Sequence, residues 1–170
     1  MGGTRNTVDL ARLGLASGEG VVVEAAVDLD SIELAGQRYA SAAGVPQARV
    51  DISRTTAGYA LRLRYTVTLE GPCMRCLEAA TEAIAVDARE VDQPGGGDDL
   101  RSPYLDGDEL DLHSWVRDAL VLALPTQIRC AAECRGLCAI CGANLNDDPE
   151  HAHESAPDAR WAKLSEIRFD

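Results

Sequence analysis

The sequence predicts an α+β protein: an antiparallel sheet with a packed central helix and a C-terminal loop module organised by metal. Three observations lead there. Apolar residues alternate at a spacing of two over several segments, they recur at three and four over one segment after residue 111, and cysteines and histidines gather in close pairs.

The first strand is expected over Val21–Leu29, where Val21, Val23, Ala25, Val27 and Leu29 alternate with Glu24, Ala26 and Asp28. Residues 48–54 and 59–70 flank Thr55-Thr56-Ala57-Gly58 and read as a hairpin with a short loop. In its second arm Leu61, Leu63, Tyr65, Val67 and Leu69 face one way and Arg62, Arg64, Thr66 and Thr68 the other, so one sheet face meets water. Gly71-Pro72 is expected to stop that strand, a Cys73-Met-Arg-Cys76 turn to follow, and a further strand to run over Thr81–Val91.

Residues 92–108 are acidic, Gly-rich and aperiodic, and predict a mobile loop. Asp111 is placed to cap a helix over about 111–124, with Leu112, Trp115, Val116, Ala119, Leu120 and Ala123 on its apolar side and Pro125 ending it. Beyond it, Cys130–His153 has no long apolar period, as expected where metal replaces a core. A short helix capped by Asp158 and carrying Trp161, Leu164 and Ile167 is expected to dock back. The expected division is a sheet domain over 1–128 and a metal-binding module over 129–170.

Six cysteines and two histidines form the pairs Cys73/Cys76, Cys130/Cys134, Cys138/Cys141 and His151/His153. Structural zinc takes four sulfur or nitrogen donors, drawn as two short-range pairs from two chain segments, so eight donors make two zinc sites. Spacing allows two divisions. Cys138/Cys141 with His151/His153 forms a local site and leaves Cys73/Cys76 with Cys130/Cys134; alternatively Cys73/Cys76 closes with Cys138/Cys141 in a ribbon. The chemistry favours the first. A full shell leaves no place for water, which argues against a zinc hydrolase.

The first residues, Met1-Gly-Gly-Thr-Arg-Asn, lack an apolar stretch, and no run approaches the roughly 18 apolar residues of a membrane span, so a cytoplasmic protein with reduced thiols is expected. A net charge of −12 opposes simple nucleic-acid binding and suits a basic protein partner. Arg62, Arg64 and Arg75 are the candidate RNA contacts, weighed against a merely solvated face; His113, on the polar side of the helix, reads as solvated. Phosphate-cradling, nucleophile-turn and His-Glu-x-x-His motifs are absent, so the chain is read as a non-enzyme without a small-molecule substrate. Two other readings stay open: a thiol redox enzyme using Cys73 and Cys76, and a zinc-ribbon module binding RNA directly.

The segments Leu69-Glu-Gly-Pro-Cys-Met-Arg-Cys-Leu77, Glu109-Leu-Asp-Leu112 leading into Val121-Leu-Ala-Leu-Pro125, and Cys134-Arg-Gly-Leu-Cys-Ala-Ile-Cys-Gly-Ala-Asn-Leu145 resemble the YceD family of large ribosomal RNA subunit accumulation proteins. Many relatives carry Cys-x-Cys where this chain has His151-Ala-His153, a change that keeps zinc-binding chemistry. The resemblance implies a role in accumulation of 23S rRNA and biogenesis of the large ribosomal subunit. The partner is then a large-subunit component, either a small basic ribosomal protein or the rRNA.

Overall fold

The computed structural model describes residues 6–153, and the helix expected from Asp158 lies outside them. In chain order the strands are β1 (Thr7–Asp9), β2 (Gly20–Ala26), β3 (Ile32–Leu34), β4 (Gln37–Ser41), β5 (Gln47–Arg54), β6 (Tyr59–Pro72), β7 (Ala79–Asp92), β8 (Leu105–Asp106) and β9 (Glu109–Asp111). One α-helix, α1 (Leu112–Ala123), follows. The described residues are thus mostly antiparallel sheet with one helix. This corrects the α+β expectation toward mostly β, because five short strands (β1, β3, β4, β8 and β9) are too brief to show a period in the sequence.

The main sheet runs β2-β5-β6-β4-β3, with β7 on the other side of β6. β6 and β7 form a 14-residue hairpin arm in continuous register from Tyr59↔Asp92 to Pro72↔Ala79. The alternation in β6 holds: Leu61, Leu63, Tyr65, Val67 and Leu69 are all buried. The strand ends at Gly71-Pro72 as expected, with Pro72 its last paired residue, and the Tyr39 hydroxyl donates to the Pro72 carbonyl at 2.7 Å. Gly71 permits this approach, since any Cβ there would collide with the Tyr39 ring. The hairpin thus delivers the Cys73 turn at its end, with Cys73 and Cys76 buried.

A three-stranded sheet, β1-β9-β8, leads into α1. Asp111 caps the helix as expected, its carboxylate accepting from the Ser114 N–H at 3.0 Å and the Ser114 hydroxyl at 2.6 Å. Trp115, Val116, Ala119 and Leu120 bury α1 against the apolar sheet face, and the Tyr65 hydroxyl donates to the Val116 carbonyl at 2.6 Å. Within the acidic stretch 92–108, Asp92 is buried and accepts from the Ser102 N–H and the Arg101 guanidinium, next to a 3-10 turn at Asp98–Leu100. Among the described residues no helix is long and apolar enough to cross a membrane.

Candidate metal centre

The tip of the β6–β7 arm bends into a tight turn. The Arg75 N–H donates to Cys73 Sγ at 3.4 Å, the Leu77 N–H to the Cys73 carbonyl at 3.0 Å, and Leu77 takes a left-handed φ of 65°. This arrangement turns both sulfurs to the same side. The segment after α1 is brought beneath it by buried Ile128, whose carbonyl accepts from the Met74 N–H at 2.9 Å. Cys130 and Cys134 then meet the arm: Cys76 Sγ lies 3.5 Å from Cys130 Sγ, and Cys73 Sγ lies 3.8 Å from Cys134 Sγ. All four sulfurs lie within 4.8 Å of one another.

Tetrahedral zinc with bonds of about 2.3 Å sets its sulfurs about 3.8 Å apart. The cluster has that span. A disulfide needs sulfurs at about 2.05 Å, and none of the six cysteines forms one.

A second turn repeats the first. The Ile140 N–H donates to Cys138 Sγ at 3.4 Å, the Gly142 N–H to the Cys138 carbonyl at 2.8 Å, and Gly142 has φ 74°. His151 and His153 close on it: each Nε2 is 3.2 Å from Cys141 Sγ and they are 2.9 Å from one another. These four donors also lie within 4.8 Å. Both clusters fit zinc by donor chemistry and spacing.

The sulfurs of the first cluster do not ionise alike. Burial alone would push the Cys73 thiol up, but the backbone N–H groups of Cys76, Arg75 and Cys130 outweigh it and bring it down to about 6. Cys130 is pushed up to about 12 by its hydrogen bonds with Cys76 and Cys134. Four thiolates this close repel, so all of them lose protons together only around a cation. In the second cluster Cys138 is lowered to about 6 by the N–H groups of Cys141 and Ile140.

The donors thus gather as Cys73/Cys76/Cys130/Cys134 and Cys138/Cys141/His151/His153, and the ribbon combination does not form. Unannounced by the sequence is Asn146, whose amide donates to Cys134 Sγ at 3.5 Å from between Cys141 and His151. No spacing rule marks a lone loop asparagine.

The arginines are spent locally. Arg62 pairs with Asp87 at 2.5 and 2.8 Å, Arg64 with Asp51 at 2.6 Å, and Arg75 donates to the Arg135 carbonyl. His113 lies 3.6 Å from Asp30, outside both clusters.

Residues 61–168 match the family described as "Large ribosomal RNA subunit accumulation protein YceD". The chain belongs to the YceD family. The matched span contains all eight clustered donors. Among curated YceD-like sequences, uncharacterised proteins of Mycobacterium tuberculosis and Mycobacterium bovis are each 35% identical over 105 residues, 57% of this chain and 49% of theirs. One of Mycobacterium leprae is 31% identical over 102 residues, 56% of this chain and 46% of its own length. The chain's matched part therefore spans about half the length of these curated relatives. No solved structure matches the chain.

Proposed function

We propose that this protein is a non-enzymatic factor in biogenesis of the large ribosomal subunit, required for accumulation of 23S rRNA and held in shape by two zinc ions. One observation carries the reading: the span that matches the YceD family, residues 61–168, includes both four-donor clusters. Cys73, Cys76, Cys130 and Cys134 would hold one ion, and Cys138, Cys141, His151 and His153 the other. Bound zinc supplies crosslinking and no reaction, since four protein donors complete its shell. In this reading the sheet body spans 1–128, the zinc-organised module begins at 129, and the protein acts in the cytoplasm, where ribosomal subunits assemble.

The direct partner in this reading is a basic ribosomal protein. The net charge of −12 and the pairing of Arg62 and Arg64 with carboxylates leave little for a phosphate backbone to meet. The redox reading fits less well, because Cys73 and Cys76 follow a strand and are buried, whereas reactive thiols are exposed at helix starts. Depletion of the protein tests the proposal. It should lower 23S rRNA and free large subunits while 16S rRNA persists, and unchanged subunit profiles would refute it.

A further inference from the structure

β7 pairs with β6 along one edge, and among the described residues nothing pairs with the other. Over Ala85–Glu90 that edge borders a groove of about 490 Å³, walled opposite by Trp115, Ala119 and Leu122 of α1. Six consecutive β7 residues line it. Side chains of a strand alternate between faces, so a groove lined by both parities opens along the edge itself, where backbone N–H and C=O groups point. Long free edges are ordinarily blunted by lysine, proline or a bulge. This one carries the charged residues Asp87, Arg89 and Glu90 but no Lys or Pro from Ala79 to Asp92, and it keeps unbroken register with β6. Leu122 beside it is 86% exposed, the most exposed large apolar side chain among those described.

Tyr104, stacked on Trp115 at 6.1 Å, divides this groove from a cleft lined by Asp106 and Glu109. These two acids stand directly opposite each other in the β8–β9 register. Like charges so placed repel. Among the described residues neither forms an ion pair, and both are exposed, which leaves the two carboxylates open to a cation from outside.

We propose that the β7 edge captures an extended, basic segment of a protein partner. The segment adds as a strand to Ala85–Glu90, lays an apolar side chain over Leu122 and Trp115, and sets a Lys or Arg between Asp106 and Glu109. Backbone pairing supplies affinity and the two ends supply selectivity. RNA fits poorly, since phosphates would meet Glu90, Asp106 and Glu109, against Arg89 as the one basic residue lining the groove. The inference rests on the assembly-factor reading only for the partner's identity, and a binding measurement separates its failure from that of an rRNA phenotype.

The test uses the full chain loaded with zinc and a fluorescein-labelled octapeptide of alternating Lys and Val. The peptide should bind, and N-methylation of alternate amides, which removes edge pairing and keeps charge, should weaken it about tenfold or more. Leu122→Asp should weaken it about tenfold, and Asp106→Asn with Glu109→Gln about threefold with a shallower salt dependence, at unchanged zinc content and circular dichroism. Equal binding of the N-methylated peptide, no effect of Leu122→Asp, or displacement by a tighter-binding oligouridylate would each overturn the proposal.

Discussion

The turns at Cys73–Leu77 and Cys138–Gly142 share their bonding: an N–H to the first sulfur, an N–H to the first carbonyl, and a left-handed fifth residue. Their surroundings differ. In the first cluster Cys73, Cys76 and Cys134 are buried among the core side chains, and the donors join the tip of the β6–β7 arm to the segment after α1. In the second, Cys141 is exposed and its partners come from the same loop. Loop closure does not explain the contrast. A crosslink over the 54 residues from Cys76 to Cys130 restricts the unfolded chain by about 4 kcal/mol, and one over the 10 from Cys141 to His151 by about 3 kcal/mol. What separates the two is what each crosslink would hold: the first would fix the main sheet to the post-helix segment, whereas the second would organise a stretch with almost no buried apolar side chain of its own.

The largest expected effect therefore belongs to the first cluster. Cys134→Ser should cost at least about 4 kcal/mol and lower the thermal transition of the whole fold, while Cys141→Ser leaves that transition close to wild type. Calorimetry on the pair checks the contrast, and equal losses would break it. Asn146 links the clusters, so Asn146→Ala should weaken metal held by Cys134 about tenfold in a competitive chelator titration without removing any ligand.

A smaller effect should separate the two fifth residues. Leu77 holds a left-handed φ that disfavours a side chain, so Leu77→Gly should stabilise by about 0.5 kcal/mol, whereas Gly142→Leu should destabilise the second module by about 1–2 kcal/mol. Denaturant unfolding and hydrogen exchange read the two.

The smallest effect lies on the outer sheet face. Hydrogen bonds from Arg64 to Asp51 and from Arg62 to Asp87 hold both carboxyls below their ordinary range. Carboxylates lowered on folding contribute stability above their unfolded pKa and lose it as pH falls through the folded one. Asp87→Asn should thus cost a little near neutrality and nothing once both forms are protonated, in urea melts at the two pH values.

Much of this was legible in the residues. Periods of two marked β2, β5, β6 and β7, and Asp111 with its apolar stripe marked α1, because long amphipathic elements write their burial into the chain. The grouping of donors was favoured by chemistry while spacing still allowed the ribbon, and the structure brings together Cys138, Cys141, His151 and His153. Hidden from the sequence were β1, β3, β4, β8 and β9, none longer than five residues and so too short to show a period. Also hidden was Asn146, whose value comes from its contact with Cys134.

Native mass spectrometry of the Cys138→Ser/Cys141→Ser variant beside the wild type tests the two-centre account most directly. The account predicts two zinc ions in the wild type and one in the variant, with the sheet's circular dichroism retained. A folded wild type without metal, or a variant that sheds both ions together, would contradict it.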